Sequence, residues 1–229
     1  LTLATGIPVI KQKFWFYAVA DAIALAIAMH FYFKAFANED ASLVSPMLSI
    51  TPLFMLVLSP LLVGDNASGT GVIAVLLIAS GAFFLNYSNN KQLKLSTGVL
   101  YILATAFIFA ITGNIIKLAT LEANAFLAGG VSCFLAGVIL LTFNATAKAK
   151  KKFALSKTEL ILGGIWALQE VFILTAITQA PAQYVIAVKR TSGLFTILAA
   201  THLLKERNTL KRLIAAILMI AGNFLLAFA

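Results

Sequence analysis

Charge is what this sequence has least of. Asp, Glu, Lys and Arg make up 11% of its 229 residues, where a soluble domain of this size carries about a quarter. Cysteine is nearly absent too. Cys133 stands alone, which excludes a disulfide framework and a cysteine-based metal site. Only two histidines occur, His30 and His202, and His202 sits near the end of its span, which counts against a pair of metal ligands at one depth. No Gly-rich phosphate loop is found, and no secretory leader with a cleavage site. Neither a cofactor nor a metal is expected.

What is present is apolar. Hydrophobic residues reach 61%, more than one water-soluble core can absorb, and helices that are hydrophobic all round need lipid. Lys and Arg number 17 against 8 Asp and Glu. That excess does not point to nucleic acid, because the basic residues sit in short connectors between apolar runs, as membrane topology requires. About 20 apolar residues cross a bilayer core. Eight segments qualify, roughly 14–36, 40–63, 68–86, 96–117, 123–143, 157–178, 181–204 and 208–228. None has the dyad alternation of an outer-membrane barrel. The expected fold class is an all-α integral membrane bundle.

An internal duplication organises these spans. Residues 31–86 align with 172–227 without a gap, at an offset of 141. Phe31 falls on Phe172, Val44 on Val185, Leu53-Phe54 on Leu194-Phe195, Asp65 on Glu206 and Gly81 on Gly222. The helix starting near 14 corresponds to the one starting near 157, five helices later. An odd number of crossings reverses direction, so the copies are antiparallel. Inverted repeats of this kind mark secondary transporters. The second copy, 91–229, holds five helices and the first, 1–90, holds three. The symmetry, and a start at Leu1, predict a ten-helix 5+5 protein that lacks its first two helices here.

Ala35 to Asp65 reads AFANEDASLVSPMLSITPLFMLVLSPLLVGD, and Ala176 to Glu206 reads AITQAPAQYVIAVKRTSGLFTILAATHLLKE. Both resemble the repeat of the drug/metabolite transporter superfamily, EamA type. A helix-ending Ala, a short polar turn, a Pro- or Gly-containing helix and a closing acid recur in both halves. One departure is that Pro46, Pro52 and Pro60 face Ala187, Gly193 and Thr201 in the other copy, so the halves are not mechanically equivalent. The Lys189-Arg190 pair is similar to the second-half motif of the phosphate-sugar and nucleotide-sugar branches. That likeness implies that the pair meets the anionic part of a substrate.

Ionisable groups deep in apolar spans imply a site or an internal pair. Lys189 and Arg190 stand about two turns into their span, and Arg suits a carboxylate or phosphate bidentately; the structural alternative is a salt bridge or snorkelling. Glu170 lies mid-span beside Gln169 and shares a face with Trp166. It reads as the counter-charge of Lys189 or Arg190, or as a proton-coupling carboxylate. Asp21 is a second coupling candidate, with partnership to a missing helix as its alternative. His30, nine residues on and on the opposite face, reads as a packing residue. Asn114 either lines a cavity or bonds a neighbouring helix. Ser49 and Thr51 map onto Arg190 and Ser192, which places them across the pseudo-twofold axis from the basic pair. Asp65 and Glu206 read as structural acids at helix starts.

Twelve of the basic residues fall on one side of the spans, and Lys11, Lys13 and Lys117 on the other. The positive-inside rule makes the rich side cytoplasmic, whereas the resemblance implies the reverse. Taken together, the residues predict a multi-pass cell-membrane transporter. It moves a small polar or anionic metabolite (an amino acid, a sugar phosphate or similar) by alternating access, coupled to protons or to a counter-substrate. The rivals are a lipid-carrier flippase of the same fold and a membrane-embedded lipid enzyme. The enzyme would need paired His or carboxylates at one depth.

Overall fold

The computed structural model describes residues 10–39, 47–86, 96–146, 156–192, 209–226 and 228–229. Among these residues the secondary structure is helical, and each expected span holds a helix in its described part. The helices are α1 (Gln12–Asn38), α2 (Thr51–Leu62, preceded by a 3-10 turn Leu48–Ile50), α3 (Gly69–Asn86) and α4 (Thr97–Glu122). They continue as α5 (Ala125–Thr146), α6 (Lys157–Gln179), α7 (Ala182–Arg190) and α8 (Thr209–Leu226). Four helical stretches are long and apolar enough to cross a membrane: Gln12–Asn38, Thr97–Glu122, Ala125–Thr142 and Leu160–Gln179. Residues 40–46 and 193–208, including Pro46, Gly193, Thr201, His202 and Glu206, lie outside the described residues.

Local chemistry explains the ends. Ser96 accepts a hydrogen bond from the Val99 amide and caps α4, while Asn124 Oδ1 caps α5 through the Leu127 amide at 2.8 Å. Pro181 follows α6 and sits at the N-cap of α7, where a missing N–H costs nothing. Gly64, at φ 81°, turns the chain out of α2 in the left-handed conformation. Pro60 sits inside α2, and Pro52 falls in its first turn.

Small residues bring the helices together, as lipid-embedded packing demands. Ala18, Ala22 and Ala26 form a buried stripe on α1. The closest pairings are α1 with α4 and α3 with α8. Phe14, Ala18, Met55, Ala110, Ile116, Ala119, Ile177 and Ala182 meet in one core cluster from α1, α2, α4, α6 and α7. The outer face is the reverse of a soluble protein's. Phe16, Leu61, Phe134 and Phe172 are each more than 60% exposed, a belt that suits acyl chains.

Two expectations need correction. Lys117 does not end its span, since α4 runs on to Glu122 and buries the lysine. It therefore leaves the count of connector charges. His30 is exposed on α1 rather than packed between helices, although it does lie opposite the buried Asp21.

Candidate functional site

A cavity of about 370 Å³ opens among α1, α2, α4, α5, α6 and α7. Two helix irregularities border it. The 3-10 turn Leu48–Ile50 leads into α2, and α7 ends at Arg190 with a turn at Thr191. At an offset of 141, the turn residue Thr191 corresponds to Ile50 at the end of the 3-10 turn, so both halves depart from regular α-helix close to one register. Interrupted helices of this sort place polar groups in a cavity that continuous helices would line with side chains alone.

The charged lining consists of Asp21, Glu170, Lys189 and Arg190. Lys189 Nζ donates to Glu170 Oε1 at 2.9 Å, across α7 and α6. That contact answers the first question about Glu170: its partner is Lys189. Arg190 is different. Its Nη2 donates to Thr51 Oγ1 at 3.0 Å, and Thr51 Oγ1 in turn donates to the Leu48 carbonyl at 2.7 Å. Arg190 Nε is buried without a hydrogen-bond partner among the described residues. No carboxylate among them pairs with this guanidinium. A half-buried Arg with a buried donor left over is a ready receptor for a carboxylate or phosphate.

Asp21 is 3% exposed. Its Oδ1 lacks a hydrogen-bond partner, and Ser132 on α5 is its side-chain neighbour. Ser132 Oγ also donates to the Ala18 carbonyl at 3.3 Å. Tyr32 lines the cavity from the same helix and lies in the electrostatic range of Arg190. Asp21 and Tyr32 are eleven residues apart, roughly 16 Å of helix axis. The acid and the guanidinium thus stand at different depths.

The remaining candidates divide. Trp166 and Gln169 line the cavity from α6, and both also show an exposed face. Thr51 lines it and touches Arg190, as the duplication implied. Ser49 is buried in the 3-10 turn and does not line the cavity. Asn114 is fully buried and donates from Nδ2 to the Ala110 carbonyl of its own helix at 2.7 Å. It does not line the cavity. Sequence reasoning missed Tyr32, Met29, Ser132 and Thr112. For α1 a signal existed: 25, 29 and 32 share one helical face with the deep acid Asp21. Ser132 and Thr112 carry no such signal.

Asp65 is a structural acid as expected, but at another helix. Its Oδ2 accepts from Lys117 Nζ at 2.6 Å and from the Ala182 amide at 3.0 Å. It therefore caps α7, 117 residues away, and not the helix that follows it.

The EamA-like transporter family model matches residues 2–87 and 96–228. Among solved structures, a crystal structure of a protein of unstated function superposes with a TM-score of 0.74, covering 93% of this chain and 76% of that one at 15% identity. At that identity the likeness speaks for the fold alone. No curated protein matches the chain. The family match spans nearly the whole sequence and the helices present a lipid-facing exterior, so the chain belongs to the EamA-like transporter family and is a transmembrane transporter.

Proposed function

We propose that the protein is a secondary transporter of the cell membrane that carries a small anionic or polar metabolite through the cavity between α1, α2, α4, α6 and α7. The observation that carries this reading is Arg190, a cation with spare donors in a cavity where the other cation, Lys189, is already neutralised by Glu170. A substrate carboxylate or phosphate would complete the guanidinium, with Thr51 holding it in place and Tyr32, Trp166 and Gln169 contributing the walls. Asp21, buried with a free oxygen at a different depth, serves better as the coupling acid than as a second clamp on one small solute.

The architecture we infer is the ten-helix 5+5 inverted repeat. Residues 1–90 supply the last three helices of the first repeat, and 91–229 the five of the second. In support, the two family-matched stretches end at 87 and 228, separated by the same 141 residues as the duplication. The 3-10 turn ending at Ile50 and the turn at Thr191, its counterpart at an offset of 141, agree with it. Alternating access then amounts to the two halves rocking about the cavity.

The test is uptake into liposomes of a panel of anionic and neutral radiolabelled metabolites, by wild type and by Arg190→Ala. Saturable uptake of an anion that the variant loses supports the reading. Uptake confined to neutral solutes and unchanged in Arg190→Ala would make the basic pair structural and overturn it.

A further inference from the structure

At the end of the molecule marked by the Lys11–Glu122 pair (3.6 Å), the two halves are stapled by polar contacts outside the cavity. Lys117 projects from α4 with 10% of its side chain exposed and meets Asp65, 16% exposed, at 2.6 Å. The same ammonium donates to the Ala180 carbonyl at 3.1 Å. Asp65 Oδ2 accepts from the Ala182 amide, and the Asp65 carbonyl accepts from Gln183 Nε2 at 3.2 Å. Three residues on, the Ser68 amide donates to Tyr184 Oη at 2.9 Å. Tyr184 lies so close over Gly71 that a Cβ there would collide with its hydroxyl. Residues 65–71 of the first half are thus bonded to 180–184 of the second and to Lys117.

Beneath this cluster Phe14, Ile116, Ile177 and Ala182 pack into a dry layer. Ile116 and Ile177 also line the cavity on their inner side. Among the described residues, one apolar layer and one polar staple therefore stand between the cavity and this end. α7 joins the two sites, with Ala182 at the staple and Arg190 at the cavity, eight residues or roughly 12 Å apart.

We propose that the Asp65–Lys117–Ala182 staple, with Tyr184 on Ser68 and Gly71, is a gate: it holds the cavity shut on the Lys11 and Glu122 side and parts when the protein opens that way. The proposal rests on the alternating-access reading. Its chemistry favours a two-state element. Removing one partner of a largely desolvated pair strands the other charge, so a loss on either side weakens the closed state. Both charges regain water when the halves separate.

Cys133 supplies the probe, since it is the chain's single cysteine and lines the cavity. The full chain is placed in vesicles of either orientation, and the rate of Cys133 modification by a membrane-impermeant maleimide is measured from each side. Wild type is expected to react slowly from the Lys11 and Glu122 side. Asp65→Asn and Lys117→Gln should each raise that rate by roughly tenfold, with labelling from the opposite side unchanged or reduced. Gly71→Ala, which displaces Tyr184 without altering charge, should act in the same direction. Rates unchanged in all three variants would overturn the gate. So would equal increases from both sides, which report a loosened fold. Labelling needs no substrate, so a failed uptake panel with a shifted labelling rate removes the substrate assignment and leaves the gate. Normal uptake with unshifted labelling does the opposite.

Discussion

Thr51 shows how one hydroxyl organises the cavity. It donates to Leu48 and accepts from Arg190, which fixes the guanidinium while leaving Nε free. A hydrogen bond to a charged group contributes about 1.5–3 kcal/mol. Thr51→Val keeps the shape and removes that bond. We expect the KM for the anionic substrate to rise about tenfold with little change in maximal rate, and Thr51→Ser to restore it. Uptake kinetics on reconstituted protein check this, and equal KM values would separate Thr51 from substrate binding. Lys189 behaves differently, because its charge is already spoken for by Glu170. Conservative as the neighbouring Lys and Arg look in sequence, the structure gives them distinct tasks.

At the scale of helices, the fit between α3 and α8 depends on one hydrogen atom. A Cβ on Gly222 would stand 2.6 Å from Ile78 Cγ1 and 2.8 Å from the Ala74 carbonyl oxygen. The second neighbour is backbone and cannot turn aside. Gly222→Ala should force the pair apart and destabilise the protein by about 1–3 kcal/mol, seen as a lower melting temperature in detergent. Gly137→Ala, with no atom within 4 Å, should leave the melting temperature unchanged or raise it. Equal effects of the two substitutions would show that helix propensity, not packing, governs the site.

The helices themselves were legible, because apolar runs of this length have one use and the breakers between them are polar or Pro. The register of the duplication was legible as well, and it placed Ser49 and Thr51 across from the basic pair, of which Thr51 meets Arg190. The Glu170–Lys189 pair could be anticipated, since few charges lie that deep. Lys117 could not be placed, because its partner is 52 residues away and a lysine after a long apolar run looks like the end of a span. Asn114 was equally opaque. Bonding back to the carbonyl four residues earlier leaves no mark on periodicity, and only the structure separates that from a cavity-facing amide. The helix interruptions at 48–50 and at Thr191 were legible only in part, through Pro52.

For the molecule as a whole, the cavity lining has an electrical consequence. Asp21 and Glu170 oppose Lys189 and Arg190, so with all four ionised the empty site holds no net charge. Reorienting it across the membrane does no work against the potential, which is worth about 2.3 kcal/mol per elementary charge at 100 mV. A bound monoanion breaks that balance, and one proton taken up on Asp21 restores it. Asp21→Asn removes the acid and leaves an empty site with one positive charge and a monoanion-loaded site with none. The substitution should therefore make return of the empty carrier voltage-sensitive, whereas both steps are electroneutral when Asp21 is present and carries the coupled proton with the anion. Exchange, which never uses the empty carrier, should then proceed independently of an imposed potassium diffusion potential, while net uptake by the same variant follows it. Net uptake by Asp21→Asn that ignores the potential would place Asp21 outside the field-bearing path. In electrical terms, the buried aspartate decides whether the cycle has a voltage-driven stroke at all.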